Sequence, residues 1–593
     1  MIVPPAPHHP VSLLTIEGGF TLLAIAMAFA FPRLGAPIFS RIERAFKSLA
    51  HRKTLAVFVV GASALLLRLA MLPLCPIPQP FVHDDFSYLL AADTFAHGRL
   101  ANPTPAMWMH FESVHIMMKP TYMSMYFPAP GLVLAAGQVL TGHAWFGLLL
   151  VTALMCAAVC WALQAWLPPT WALLGGFIAV LRFGLFSYWI NTYTGGGSVA
   201  ALGGALVIGS LPRLMRGVNL RHGILLAIGI ILLATSRPYE GMLLCLPVLF
   251  VLLRWIYKGK NRPPARLLIR RATLPLLLIL AAGAWMGYYN YRVNGSPLTP
   301  PYKIDRTTYA VVPYFFWQHQ RPKPVYHNAV MEKFYYGTEM DSYRRIHSIP
   351  GYIKQTFFVK PLKSLLFFTG FILLPPLFMS RRVIRDRRVR FLLLSLLLLM
   401  AGDLLETGFQ TQYLSPFIIA FYALGLQAMR HLRVWRPGDQ PAGKTLVRLL
   451  VVFCVVLGGV RLYAQPLHIY FGKWPSEEWS NLWYGPGQFG APRARVNAWL
   501  DHQPGKQLAI VRYTPDHNPV MEWVYNAADI NSSKIIWARD LGPRQNAQLI
   551  HYYKNRTVWL IQPDKSPVAV TPYPMPARQP AAGKALPSTA ANK

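Results

Sequence analysis

Residues Trp145-Phe146-Gly147-Leu148-Leu149-Leu150-Val151-Thr152-Ala153-Leu154-Met155-Cys156-Ala157-Ala158-Val159-Cys160-Trp161-Ala162-Leu163 carry no charged side chain. The apolar run they belong to, 144–166, is as long as the roughly 20 residues a helix needs to cross a bilayer. Comparable runs recur at 11–32, 54–74, 170–190, 196–212, 223–236, 240–257, 273–290, 362–380, 391–407, 414–429 and 446–464. Together they predict an α-helical polytopic membrane protein of about 12 spans. The composition agrees, with 54% of the 593 residues hydrophobic and 14% charged. The short run 223–236 is expected to be tilted, broken or extended into its next turn.

The formal charge is +35, from 58 Lys and Arg against 23 Asp and Glu. In a soluble chain that excess would point to nucleic acid. Here the cations cluster in short loops at 33–53, 213–221, 254–271, 381–390 and 430–448, whereas 191–195 and 407–413 carry none. Such alternation is the positive-inside signal of a membrane protein, so the charge sets topology and argues against a nucleic-acid partner. It places the long loops 75–143 and 291–361, and everything after 465, on the outer face. The first apolar run lacks a preceding basic segment and a small-residue cleavage pattern, and is read as a retained span. Four cysteines (Cys156, Cys160, Cys245 and Cys454) fall in apolar runs as small hydrophobes, and Cys75 sits at a span end.

The expected organisation is an N-terminal extra span and basic loop (1–53), a transmembrane domain (54–464), a small soluble α/β domain (465–564) and a disordered Pro/Ala-rich tail (565–593). Leu508 to Val511, Ile535 to Trp537 and Val558 to Leu560 read as short buried strands, with helices at Arg493 to Leu500 and Arg544 to Tyr553 between them. Residues 131–142 are apolar but too short to span from outside, which suggests an interfacial or re-entrant helix.

Chemistry concentrates at the head of the first outer loop, Val82-His83-Asp84-Asp85-Phe86-Ser87-Tyr88. A helical pattern runs from Asp84 to His97 and is ended by Gly98. Successive residues on a helix point about 100° apart. The two are therefore not expected to share one role: either one faces a substrate while the other serves the helix N-terminus, whose dipole favours an acid, or both are capping and solvating residues. Charged residues at membrane depth, Arg68, Arg182, Arg237, Glu240, Asp403 and Glu406, all fall near the outer face and suggest one external cavity. Arg237 suits a phosphate, and Lys119 is a second choice. His110 and Glu112 suit substrate hydroxyls. With His115 they lack the dense ligand spacing of a metal site, so no metal and no other cofactor is expected.

These segments resemble the GT-C superfamily of integral-membrane glycosyltransferases, in the bacterial branch near the protein mannosyltransferases and the lipid A aminoarabinose transferase. The resemblance rests on His83-Asp84-Asp85 with Tyr88, Gly98-Arg99-Leu100, His110-Phe111-Glu112, Tyr126-Phe127-Pro128-Ala129-Pro130-Gly131 and Arg237-Pro238-Tyr239-Glu240-Gly241. It covers roughly 54–430 and implies a multi-pass protein of the bacterial inner membrane with its active face and C-terminal domain in the periplasm. It further implies an inverting transfer of a hexose or pentose from a polyprenyl-phosphate donor to an envelope acceptor. Carried onto this chain, the general base is Asp84 or Asp85, with a slight preference for Asp85. The substrate-binding set is Arg237, Glu240, Lys119, His110, Glu112, Tyr88 and Tyr126. The extra span before 54 and the C-terminal α/β domain depart from the family pattern. The alternatives are a lipid or glycan flippase, which needs polar sites at mid-membrane, and a non-catalytic envelope-assembly scaffold.

Overall fold

A computed structural model describes residues 13–194, 196–259, 263–463 and 489–574. The start of the N-terminal segment, residues 465–488 of the expected soluble domain and the tail beyond 574 lie outside the described residues. The chain is mostly helical, and six described helices are long and apolar enough to cross a membrane: Lys53–Ala70, Trp145–Leu163, Gly196–Arg216, Pro238–Lys258, Ala265–Asn294 and Ala442–Leu462. The other apolar runs form shorter helices, such as Pro169–Ala179, Leu220–Ala234 and Arg390–Asp403, or a helix pair bent by 92° between Thr369 and Phe371.

Small residues set the close crossings, as expected where packing rather than hydrophobicity drives helix association. A methyl group at Gly229 would lie 2.7 Å from the Gly203 carbonyl oxygen, and one at Gly176 would lie 2.8 Å from Cys160. Trp145–Leu163 and Gly196–Arg216 are the most enclosed of these helices, each with 72% of its apolar window buried, whereas Ala265–Asn294 buries only 6% of its window.

The bend at Gly370, where φ is +69°, has a local cause. Glu17 of the first helix, Leu13–Ala30, accepts from Phe371 N at 2.5 Å. Arg182 Nε donates to the Phe367 carbonyl at 2.7 Å, satisfying a helix end that the bend leaves open.

The first outer loop begins with the helix His83–Ala96, entered from extended Val82 and closed at Gly98, where φ is +69°. The helix Pro128–Thr141 packs on it: a methyl at Gly131 would come within 2.7 Å of the Ala91 Cβ. Its far end leaves Val139 and Leu140 exposed. Three short strands, Asn102–Pro103, Thr121–Ser124 and Ile116–Met117, form a small antiparallel sheet beside these helices.

All three stretches read as C-terminal strands lie in one sheet, ordered Ile535–Arg539, Lys506–Val511, Arg556–Gln562, Ala569–Pro572. The first three strands are parallel and the last is antiparallel. Helices Ala491–His502 and Pro543–Tyr552 accompany them. The strand Ala569–Pro572 lies inside the stretch expected to be a disordered tail from 565, and its pairing to Trp559 through Gln562 corrects that boundary.

The sheet does not stand apart from the membrane domain. Leu508, Ile510, Ile536 and Leu549 share one apolar core with Leu90, Phe111, Ile116 and Tyr122 of the first outer loop. Buried Arg539 pairs with buried Glu522, and its Nε donates to the Glu112 carbonyl at 2.6 Å. Removing one member of such a pair strands the other charge. Arg539→Ala is therefore expected to cost about 3–5 kcal/mol, read as a lower unfolding midpoint and faster proteolysis of residues 489–574 in the detergent-solubilised protein.

Candidate functional site

Four segments meet at the head of the first outer loop. Asp84 and Tyr88 are one turn apart on His83–Ala96 and share a face. Tyr126 comes from the turn before Pro128. That turn is tied to the Arg237 junction by Ala129 N donating to the Thr235 carbonyl at 3.0 Å. The fourth segment, 191–194, is buried at the end of the helix Tyr188–Asn191.

Asp84 has two unlike oxygens. Its Oδ1 accepts from His83 Nδ1 at 3.0 Å, His115 Nδ1 at 2.5 Å and Tyr126 Oη at 2.5 Å. Its Oδ2 has no hydrogen-bond partner among the described residues, and the side chain is 22% exposed. Its partial burial alone would raise its pKa, but the two imidazoles and their hydrogen bonds hold it well below the usual carboxylate range. Burial lowers the His115 pKa, against the pull of the neighbouring Asp84. His115 adopts φ +64°, a left-handed conformation rare outside glycine, and this turns its ring toward Asp84.

Asp85 faces the other way and is fully buried. Its Oδ1 accepts from Tyr193 N at 2.9 Å and its Oδ2 from Phe81 N at 3.3 Å. An acid at the third helical position that reaches back to the entering backbone is half of a capping box. Burial pushes its pKa up to about 7. The slight sequence preference for Asp85 thus meets an aspartate with both oxygens engaged by backbone, whereas Asp84 keeps one open.

Tyr88 stacks on Tyr126 with ring centres 4.3 Å apart and planes 6° from parallel. Beyond it lies Arg237, whose guanidinium covers the Tyr413 ring at 4.1 Å and has no hydrogen bond or ion pair within 4 Å to a described residue. Glu240, buried in the first turn of Pro238–Lys258, attracts Arg237 electrostatically. One tyrosine pair therefore separates an open carboxylate oxygen from an uncommitted cation.

The remaining sequence candidates lie elsewhere. Glu112 is buried and accepts from Tyr309 Oη at 2.8 Å and from His327 Nδ1 at 3.2 Å, tying the two outer loops together. His110 Nδ1 donates to the Arg539 carbonyl at 3.0 Å. Lys119 is exposed and lies over the Trp108 ring at 4.3 Å. The six deep charges divide: Arg237, Glu240, Asp403 and Glu406 form one electrostatically linked group, whereas Arg68 and Arg182 are engaged elsewhere, which corrects that expectation for those two. Arg68 donates to the Cys75 carbonyl at 2.8 Å, Asp403 pairs with Lys360 at 3.4 Å, and Arg182 serves the bend at Gly370 with Glu17. Sequence reasoning gave Tyr193 and Gly196 no role in the site, and placed Tyr413 after the tenth apolar run without tying it to Arg237.

His83, Asp84 and His115 also offer ligand atoms within 4.8 Å of one another, the spacing a divalent ion would need. Both Nδ1 atoms lie against the carboxylate, and the buried His83 Nε2 has no hydrogen-bond partner among the described residues.

No protein-family model matches the chain, and no curated protein matches it. Among solved structures it is similar to ArnT from Cupriavidus metallidurans in the apo state, with 13% identity over 85% of this chain and 92% of that one and a TM-score of 0.46. It is similar to the same protein bound to undecaprenyl phosphate, at 12% identity over 85% and 92% of the two chains and a TM-score of 0.44. The Archaeoglobus fulgidus oligosaccharyltransferase complexed with Zn and sulfate aligns at 10% identity over 85% and 67%, with a TM-score of 0.43.

Proposed function

We propose that the chain is an inverting glycosyltransferase of the GT-C kind, in the bacterial inner membrane with the Asp84 face in the periplasm. It would transfer a sugar from a polyprenyl phosphate to an envelope acceptor, whether lipid, glycan or protein. The observation that carries this reading is the open Asp84 Oδ2 on a carboxylate fixed through its other oxygen, one tyrosine pair from the uncommitted Arg237.

The acceptor hydroxyl gives its proton to Asp84 Oδ2 as its oxygen attacks the anomeric carbon from the face opposite the phosphate. The bond from that carbon to the phosphate oxygen breaks, its electron pair leaves with the phosphate, and Arg237 stabilises the charge that develops. His83, His115 and Tyr126 hold the carboxylate ionised and aimed. A transporter would need an open polar site inside the membrane. The buried Glu17 is instead closed on Arg461 at 2.9 Å and on the helix bend.

The test offers purified protein in lipid a panel of polyprenyl-phosphate sugars with membrane extract as acceptor, and follows labelled sugar from donor to acceptor. Label that moves supports the enzyme. Label that stays on the donor lipid but changes leaflet would favour a flippase. No donor binding or turnover across the panel would favour a scaffold. Because His83, His115 and Tyr126 already hold Asp84 ionised and aimed, transfer is expected to survive exhaustive chelation. Loss with EDTA and rescue by a divalent ion would place that ion among His83, Asp84 and His115.

A further inference from the structure

The span Lys53–Ala70 leads from the basic loop 33–53 to the outer loop that holds Asp84, so the two lie at opposite ends of the bundle. At the basic end a cavity of about 320 Å³ is lined by Trp171, Gln427, Arg430, His431, Arg433 and Val434. Its polar wall is fixed from within. Gln427 is 3% exposed, donates through Nε2 to Asp386 and accepts from Arg430 Nη1 at 2.6 Å. Arg433 donates to both oxygens of Glu43, at 3.0 and 2.9 Å, and Arg448 Nε donates to the same carboxylate at 2.9 Å.

The charges around this cavity do not cancel. Arg430, Arg433 and Arg448, with Arg388 near enough to repel Arg430, set four guanidinium groups against the two carboxylates of Asp386 and Glu43. Asp386 also lies 3.7 Å from His431. Arg430 is tied only to a neutral amide, and no carboxylate lies within 4 Å of it among the described residues. One edge of its guanidinium, Nε and Nη2, is left without an acceptor there. Two parallel N–H donors on a fixed fork suit a phosphate.

The helix Ala36–His51 beside the cavity favours a membrane anion over a soluble one. Its Glu43 and Phe46 face the bundle, Phe46 against Phe177 with ring centres 6.1 Å apart. Ile38 and Ile42, one turn apart, are 66% and 57% exposed, and Arg41, Arg44 and Lys47 are exposed on the remaining flank. A helix with one flank on protein, a bare apolar flank and a basic flank fits the plane of a bilayer interface. Because Glu43 holds Arg433, the interfacial helix and the cavity are one structure. A basic cavity between helix ends at headgroup depth, edged by a tryptophan, matches an anionic lipid headgroup.

We propose that this cavity binds the headgroup phosphate of an anionic phospholipid, with Arg430 as its principal ligand and the helix Ala36–His51 seated in the same leaflet. The site is distinct from that of Asp84, and it does not rest on the glycosyltransferase reading. It gives the extra N-terminal segment a role that the transfer chemistry leaves unassigned.

The experiment is native mass spectrometry of the full-length protein in detergent, titrated with phosphatidylglycerol, with phosphatidylcholine of the same chains, or with soluble glycerol 3-phosphate. The variants are Arg430→Gln, Arg430→Lys, which keeps the charge but not the fork, and Arg436→Gln, an exposed cation outside the cavity. Wild type is expected to hold phosphatidylglycerol about fivefold or more tightly than phosphatidylcholine, the contribution of one basic residue at an anionic surface. Arg430→Gln should abolish that preference, Arg430→Lys should keep part of it, and Arg436→Gln should leave it unchanged. If Arg430→Gln does not fold, Arg430→Lys against Arg436→Gln carries the comparison. Equal affinity of wild type for the two lipids would overturn the site. A preference unchanged by both Arg430 substitutions, or lost equally in Arg436→Gln, would assign it to diffuse surface charge and overturn the cavity. Glycerol 3-phosphate bound as tightly as phosphatidylglycerol would overturn the assignment to a lipid.

Discussion

Asp84→Asn is expected to lower sugar transfer by about two to four orders of magnitude, the range a positioned general base supplies, with the fold intact. The amide can still accept from the imidazoles and Tyr126 through one oxygen, so the geometry survives while the proton acceptor is lost. Asp85→Asn is expected to act differently. It breaks one backbone hydrogen bond of the pair to Tyr193 and Phe81 and should loosen the loop, with a smaller fall in transfer.

The pH dependence separates the two aspartates independently of any substitution. Asp84 is held well below the ordinary carboxylate range, so transfer that depends on it should stay level from pH 8 down to about 5. A base with the pKa of Asp85, about 7, would make transfer fall as pH drops through neutrality. Stability should carry the mark of Asp85 instead. Its folded pKa of about 7 lies above the ordinary 3.8, so its contribution is full below 3.8 and is lost as pH rises through 7. Asp84 has the opposite sign: its contribution is present above the ordinary value and is lost as pH falls through its lowered one. Thermal unfolding from pH 5 to 8 should show the Asp85 dependence in wild type and its absence in Asp85→Asn.

Arg237→Gln is the second large effect expected. If the guanidinium stabilises the departing phosphate, its removal should cost about 10²- to 10³-fold in kcat, comparable to losing one preorganised donor from a charge-stabilising site. Arg237→Lys should recover only part, because an ammonium cannot reproduce the planar donor fork or its stacking on Tyr413. A uniform rise in KM without a fall in kcat would mean that Arg237 binds the ground state and transition state equally.

Much of this architecture was legible in local sequence. Proline-rich entry, an acid at the first turn and Gly98 mark the helix His83–Ala96, and three short apolar runs mark the parallel strands. Such signals depend on neighbours within a few residues. What sequence left open depends on partners far along the chain. Asp84 and Asp85 look equivalent until Tyr193 and Phe81 are seen to occupy only one of them. His110 and Glu112 look like substrate groups, yet their partners are Arg539, Tyr309 and His327. Arg182 looks like the wall of a cavity, yet it caps a helix end near Glu17, a buried acid that the charge argument passed over. His115 takes its role from a positive φ that no residue pattern announces.

The most direct test of the central claim is the release of free polyprenyl phosphate with concomitant glycosylation of acceptor by wild type and Asp84→Asn, reconstituted in the same lipid and given the same donor panel. The account predicts matched release and glycosylation by wild type and near-complete loss of both in Asp84→Asn. Equal turnover by the two proteins would contradict it.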